Sequence, residues 1–269
     1  MQVTRLGEGD AELAIVGGVH GDEPCGVEAI QRLLADDPPV RRPVKLIVAN
    51  EEALARNVRF VDADLNRAFT DAPAEAHERG LAEALATAIQ GTTTLSIHST
   101  QSYHSPFAIT SGMAPAVREV VPRLSVDAVV DAGPAVNGRI FEAAADIIEV
   151  EAGYQRSEAA AENAYRLTRE FLTATGALPG DTMVRDLPLF DLGTPLEKPR
   201  ASAYEVLVEN FSRVRKGQPF ARADGEALRA EEPFWPVLLS AEGYRDIFGY
   251  RSQRRGTLSR ESQGTRSEG

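Results

Sequence analysis

The chain has 269 residues and a formal net charge of -11, a size that holds one substantial α/β domain with a smaller appended unit. Its 43% hydrophobic content is that of an ordinary globular protein, and its acidity repels phosphate backbones, which argues against a nucleic-acid partner. No apolar run approaches the ~18–20 residues that span a bilayer, the start Met1-Gln2-Val3-Thr4-Arg5-Leu6 lacks the basic-then-apolar order of a signal peptide, and the single cysteine, Cys25, excludes an internal disulfide, so no membrane partner and a cytoplasmic location are expected.

Residues 2–6 and 11–17 read as strands across the turn Gly7-Glu8-Gly9-Asp10. Val27, Ile30, Leu33 and Leu34 then recur at helical spacing, and Asp37-Pro38-Pro39 stops that helix. Residues 44–49 form an apolar run broken only by Lys45, as expected of a buried parallel strand. An alanine-rich amphipathic helix over 73–90, a strand over 93–97, a helix over 115–124, a strand over 146–151 and a long helix over 157–175 ending at Gly176 follow. This alternation predicts an α/β fold with a mixed, mostly parallel sheet flanked by helices. From about residue 180 short β-like runs (206–208, 235–239) sit among Pro and Gly. The expected division is an α/β domain over 1–178, a small β-rich domain over 179–250 and a disordered, polar tail over 251–269.

Three clusters carry chemistry. Gly17-Gly18-Val19-His20-Gly21-Asp22-Glu23 lies just past a buried strand. A His and a Glu three residues apart can meet one zinc ion, and glycines let the backbone turn sharply around it. Catalytic zinc sites commonly add a second His and keep the fourth position open. Of the four histidines, His77 sits among Ala, Glu and Arg on a predicted solvated helix face. His98 ends a strand, as His20 does, and His104 in the loop beyond is a weaker candidate. Ligands in open α/β sheets bind at the carboxyl ends of strands. The second cluster, Asp62-Ala63-Asp64-Leu65-Asn66-Arg67, follows the strand at 44–49, and its Asn-Arg pair is suited to gripping a carboxylate. The third, Glu149-Val150-Glu151-Ala152-Gly153, ends a strand with two glutamates on one face, either of which could act as general base.

In this order, Gly-x-His-Gly-x-Glu, Asp-x-Asp-Leu-Asn-Arg-x-Phe, a His after a strand and Glu-x-Gly resemble the succinylglutamate desuccinylase/aspartoacylase family, a branch of the zinc carboxypeptidase-like hydrolases. The resemblance runs from residue 17 to about 155. It implies one zinc ion per chain held by His20, Glu23 and His98. It further implies Arg59 polarising the scissile carbonyl, Asn66 and Arg67 holding a substrate carboxylate, and Glu151 as the catalytic base, with Glu149 the alternative. Arg139 falls in looser register as a further carboxylate-binding arginine, and Tyr244 as a contributor from a C-terminal β domain covering the site. One position departs: the family's usual acidic residue two before the second His is Ser96 here. The implied activity is zinc-dependent hydrolysis of the amide bond of a small N-acyl amino acid. A zinc carboxypeptidase on a short peptide-like substrate is the nearest alternative, and a metal- or ligand-binding protein without turnover the alternative of another class. The oligomeric state is not readable.

Overall fold

The structure, a computed structural model, describes residues 1–70, 72–133 and 137–259. The first edge strand, β1 (Gln2–Leu6), is mostly exposed, whereas β2 (Leu13–Gly17) is buried at every position, as its uninterrupted apolar run requires. Helix α1 (Cys25–Asp36) returns the chain to β3 (Val44–Val48), which pairs parallel to β2 and antiparallel to β1. The short helix α2 (Glu51–Arg56) is capped by Asn50, whose side chain accepts from Ala53 N. Helix α3 (His77–Ile89) starts at His77 itself, so this histidine is at a helix entrance and not in mid-helix, with Nδ1 3.6 Å from Glu52.

β4 (Thr93–Thr100) crosses to the other side of β2 and pairs parallel to it. Next come β5 (Phe107–Thr110), α4 (Pro115–Val120) with a 3-10 turn behind it, β6 (Val129–Asp131), β7 (Ile147–Tyr154) and α5 (Glu158–Ala174). The C-terminal third supplies β8 (Leu187–Glu197), β9 (Tyr204–Val206), β10 (Pro219–Ala223), β11 (Glu226–Arg229), β12 (Trp235–Val237) and β13 (Ile247–Leu258). The main sheet has ten strands in the order β1-β3-β2-β4-β7-β5-β6-β8-β13-β12, and β11-β10-β9 form a separate three-stranded sheet. The expected mixed, mostly parallel α/β fold is thus present, with its parallel heart at β3-β2-β4-β7 and antiparallel pairs toward both edges.

The pleat sorts side chains to two cores. Leu13, Ile15, Leu95, Ile97, Ile148 and Val150 face α1, α4 and α5. Ala14, Val16 and Ile147 face the opposite way, toward α3 and the segment around Leu65, Ile140 and Phe141. Ser96, His98, Glu149 and Glu151 alternate onto this second face. Leu196, Phe220, Phe234, Leu239 and Phe248 build a third, small core around the C-terminal strands.

Two expectations are corrected. The boundary at 178/179 is crossed by the main sheet, because β8, β12 and β13 belong to it and only β9–β11 stand apart. The segment from 251 is not a tail up to residue 258: β13 pairs along nearly its whole length with β8. Its arginines and serines read as solvated chain, but the ladder supplies its order and Leu258 drops into the main core beside Leu187 and Leu189. Residues 260–269 of the expected tail lie outside the described residues. Leu258 is 2% exposed, so Leu258→Asp should cost more than about 3 kcal/mol and lower the melting temperature by several degrees. A melting curve unchanged by the substitution would show this strand to be dispensable.

Candidate metal centre and catalytic cavity

Strands β2 and β4 are neighbours whose onward connections run to opposite sides, to β3 and to β5, which opens a crevice at their carboxyl ends. The loop after β2 carries His20 and Glu23 into that crevice, and β4 carries His98. The loop can lie there because Gly21 packs directly on α2: a Cβ at this position would come within 2.1 Å of the Ala53 carbonyl carbon. Gly21 N–H also donates to Arg59 O, tying the loop to the segment after α2.

His20, Glu23 and His98 are buried, and their ligand atoms lie within 4.8 Å of one another. Glu23 stands between the two imidazoles, its Oε1 2.8 Å from His20 Nδ1 and its Oε2 3.0 Å from His98 Nδ1. Both Nδ1 atoms therefore converge on one point, while both Nε2 atoms face outward onto other groups. His20 Nε2 lies 3.0 Å from Asp64 Oδ1; His98 Nε2 lies 3.1 Å from Ser96 Oγ and 3.4 Å from Glu149 Oε1. Two imidazole nitrogens and one carboxylate are the donor set that zinc takes in open catalytic sites, so the residues present fit the ion.

Arg59 is held against this set: Nη1 donates to Glu23 Oε1 at 3.0 Å, and Nε and Nη2 both reach Asp64 Oδ2. Asp64 is thereby more than a surface ion-pair partner, since its other oxygen meets His20 and the Asn66 N–H. The whole 59–64 segment is shaped by Glu78 of α3, which accepts from the backbone N–H groups of Val61, Asp62 and Ala63 and from Asn50 Nδ2. Nothing in the sequence marked Glu78, which reads there as one more helical glutamate.

The structure brings Asn66, Arg67, Arg139, Glu151 and Tyr244 to the same cavity, of about 110 Å³. Asn66 is buried and spoken for: its Nδ2 donates to Glu149 Oε1 at 2.7 Å and its Oδ1 accepts from Ile140 N. Arg67 is exposed and donates to Asn66 O while lining the cavity. Arg139 Nε, Glu151 Oε2, Ser99 Oγ and Asp22 Oδ1 are buried atoms without a partner among the described residues, and all four belong to residues lining this cavity. Unpaired buried polar atoms are costly unless a ligand completes them. His104 is exposed, beside Tyr103 at the mouth of a wider outer groove, and does not join the ligand set.

The two strand glutamates are in different electrostatic positions. Burial works against ionisation of Glu149, but Arg139, then His98 and Asn66, outweigh it and hold its carboxyl down at about 2. Burial pushes Glu151 up to about 7, with the Glu23 and Glu149 charges adding to it against the pull of His98. Burial would lower the His98 imidazole, yet Glu149 and Glu23 hold it up at about 10. Were His98 a zinc ligand it would bind as neutral imidazole, and the metal would have to displace the proton that these carboxylates hold on it. Zinc affinity should therefore rise as the pH climbs toward about 10. Calorimetric titration at pH 7 in buffers of different ionisation enthalpy should show release of about one proton or more per zinc. Binding without proton release would mean that His98 is not a ligand.

Residues 10–175 match the succinylglutamate desuccinylase/aspartoacylase catalytic domain. An N-acyl-aromatic-L-amino acid amidohydrolase (carboxylate-forming) of Xenopus laevis is 38% identical over 63 residues, which are 22% of this chain and 21% of that protein. A succinylglutamate desuccinylase of Pseudomonas paraeruginosa is 33% identical over 87 residues, 30% of this chain and 25% of that one. The chain thus aligns with about a fifth to a quarter of the length of these curated relatives. In fold the likeness extends to nearly the whole chain. The product-bound ectoine utilization protein EutE (DoeB) of Ruegeria pomeroyi superposes with a TM-score of 0.74 at 17% identity, covering 94% of this chain and 87% of that one. Murine aminoacylase 3 superposes at 0.70 with 21% identity, covering 93% and 97%. The ordered motifs from residue 17 to about 155, the converging His-Glu-His set and the domain match have one reading: the chain belongs to the succinylglutamate desuccinylase/aspartoacylase family.

Proposed function

We propose that this chain is a zinc-dependent hydrolase that cleaves the amide bond of a small N-acyl amino acid. The observation that carries the proposal is Glu151, whose Oε2 stands buried and without a partner in the cavity that the three convergent ligand atoms line. His20, Glu23 and His98 would hold the ion. When bound, zinc supplies Lewis-acid chemistry, polarising a carbonyl and making water acidic near neutral pH.

The chain's own groups supply the rest. Glu151, raised to about 7 by its burial among carboxylates, is poised to take a proton from water and return it to the leaving amine. Glu149, the alternative base, is held ionised near 2 by Arg139, His98 and Asn66 despite its burial, and is a poor proton acceptor. Arg59, already at the ligand set, directs positive charge to where the carbonyl oxygen gains negative charge. Arg67 and Arg139 line the same cavity and would hold the substrate carboxylate, with Tyr244 closing the chamber from the C-terminal side. Asn66 serves this grip indirectly, by fixing Glu149 and the Ile140 backbone.

Glu151→Gln keeps the shape and removes the base. It should retain zinc and lose about 10²-fold or more in turnover, whereas Arg67→Ala should retain zinc and lose about 1.5–3 kcal/mol in transition-state binding. Both are read by steady-state kinetics on the best substrate from a panel of N-acyl amino acids and dipeptides, using zinc-loaded protein. Preference for dipeptides would turn the assignment toward a carboxypeptidase, and a zinc-loaded protein inert on the whole panel would turn it toward a binding protein.

A further inference from the structure

Both proposed ligand histidines point Nδ1 inward, so each has its Nε2 left to be fixed by something else. A ligand imidazole is oriented, and its basicity raised, by the acceptor on its second nitrogen, most often a carboxylate. For His20 that acceptor is Asp64, which arrives from the loop after α2. For His98 the nearest oxygen is the hydroxyl of Ser96, two residues back on the same strand, at 3.1 Å. A hydroxyl brings no charge. The carboxylate behind it comes from the neighbouring strand: Glu149 Oε1, 3.4 Å from His98 Nε2.

The register explains how. Ser96 of β4 is the ladder partner of Glu149 of β7, and His98 of Glu151. Parallel partners share a face, so Glu149 enters the space beside Ser96 that the small side chain leaves. Glu149 is 2% exposed and is itself oriented by Asn66 Nδ2 at 2.7 Å. We propose that Glu149 is a positioning residue for the metal site: it is the carboxylate that fixes the His98 ring, delivered across the sheet to where Ser96 supplies none. Each proposed ligand imidazole then has a carboxylate behind its Nε2, Asp64 for His20, where Arg59 Nη2 also lies at 3.0 Å, and Glu149 for His98, although the two carboxylates come from unrelated segments. Asn66, by the same geometry, acts on His98 through Glu149.

This inference rests on the zinc reading, and its test separates the two. Zinc dissociation constants are measured by competition with a chromophoric chelator for the whole chain and for three variants, with melting temperatures as folding controls. Wild-type protein that takes up no zinc would overturn the zinc reading itself. With zinc bound by the wild type, Glu149→Gln should weaken affinity about 10–100-fold. Ser96→Asp added to Glu149→Gln returns a carboxylate from the His98 strand and should recover at least about tenfold of that loss. Ser96→Ala leaves Glu149 in place and should stay within about threefold of wild type. The proposal is overturned if Glu149→Gln binds zinc like the wild type, if Ser96→Asp recovers none of the loss, or if Ser96→Ala loses as much as Glu149→Gln. Should Glu149→Gln alone fail to fold, Ser96→Asp/Glu149→Gln is read directly against the wild type: zinc affinity within about tenfold is expected, and a larger loss overturns the proposal.

Discussion

A single buried carboxylate, Glu23, organises the carboxyl edge of this sheet. Its two oxygens meet two imidazoles, and Arg59 and the Ser99 N–H complete its shell. Burying such a charge is expensive and is tolerated only where partners of opposite sign surround it. Here the partners are histidines that must hold protons to play that part, and both His20 and His98 are raised above their ordinary value by the carboxylates facing them. Asp64, Glu149 and Glu151 add further negative charge around the same point. A cluster arranged this way is short of positive charge whenever its imidazoles are neutral. In the proposed zinc reading, a divalent cation at the point where the two Nδ1 atoms and Glu23 converge would remove that shortage and free the protons. Its binding would then depend on pH.

The scaffold meets this need with small residues at one strand end and hydrogen-bonded loops above it. Gly21 lets the ligand loop lie on α2, at a distance that no side chain would allow. Glu78 gathers three consecutive backbone N–H groups and so fixes the turn that presents Arg59 and Asp64. Neither residue contacts the ligand atoms, yet the direction of both His20 and Arg59 depends on them. The crevice falls between β2 and β4, whose onward connections run to opposite sides, which is where an open α/β sheet leaves room for a ligand.

The elements legible in the sequence were those whose burial leaves a periodic mark. β2, β3, α1 and α5 are apolar on the faces they bury, and their limits fall within a few residues of the expected ones. β5 and β6, at four and three residues, are too short to carry a period. β8 contains Pro188, Pro195 and Gly193 and still runs eleven residues, because β13 pairs along it. β13 itself alternates Arg, Gln and Gly with only a few buried positions, so its order comes from long-range pairing that no local window contains. The clustering of His20, Glu23 and His98 was legible because metal chemistry restricts a candidate set to few residue types, and His98 was the histidine best placed among four. The contact of Asn66 with Glu149 was not, since it depends on the register of β4 against β7, which puts Glu149 in front of the amide.

Two spaces adjoin at the carboxyl edge of the sheet. The inner cavity, of about 110 Å³, is lined by the cations Arg59, Arg67 and Arg139. It opens, through Thr100, Gln101, Ser102, Gln155 and Ser240, onto a groove of about 740 Å³ between the main sheet and the small one. That groove is lined by Tyr103, His104, Tyr154 and Val206 together with Glu209 and Glu242, a surface that offers a substrate aromatic and aliphatic contact but no arginine or lysine. In the proposed hydrolase reading, bond cleavage and carboxylate recognition would belong to the inner cavity at the strand ends. The outer groove is built from the β4–β5 loop, the end of β7 and loops of the C-terminal third, and loops tolerate change more readily than the elements they join. Under that reading the group accepted beyond the scissile bond would be chosen by the β4–β5 loop and the segments around 206–210 and 239–242.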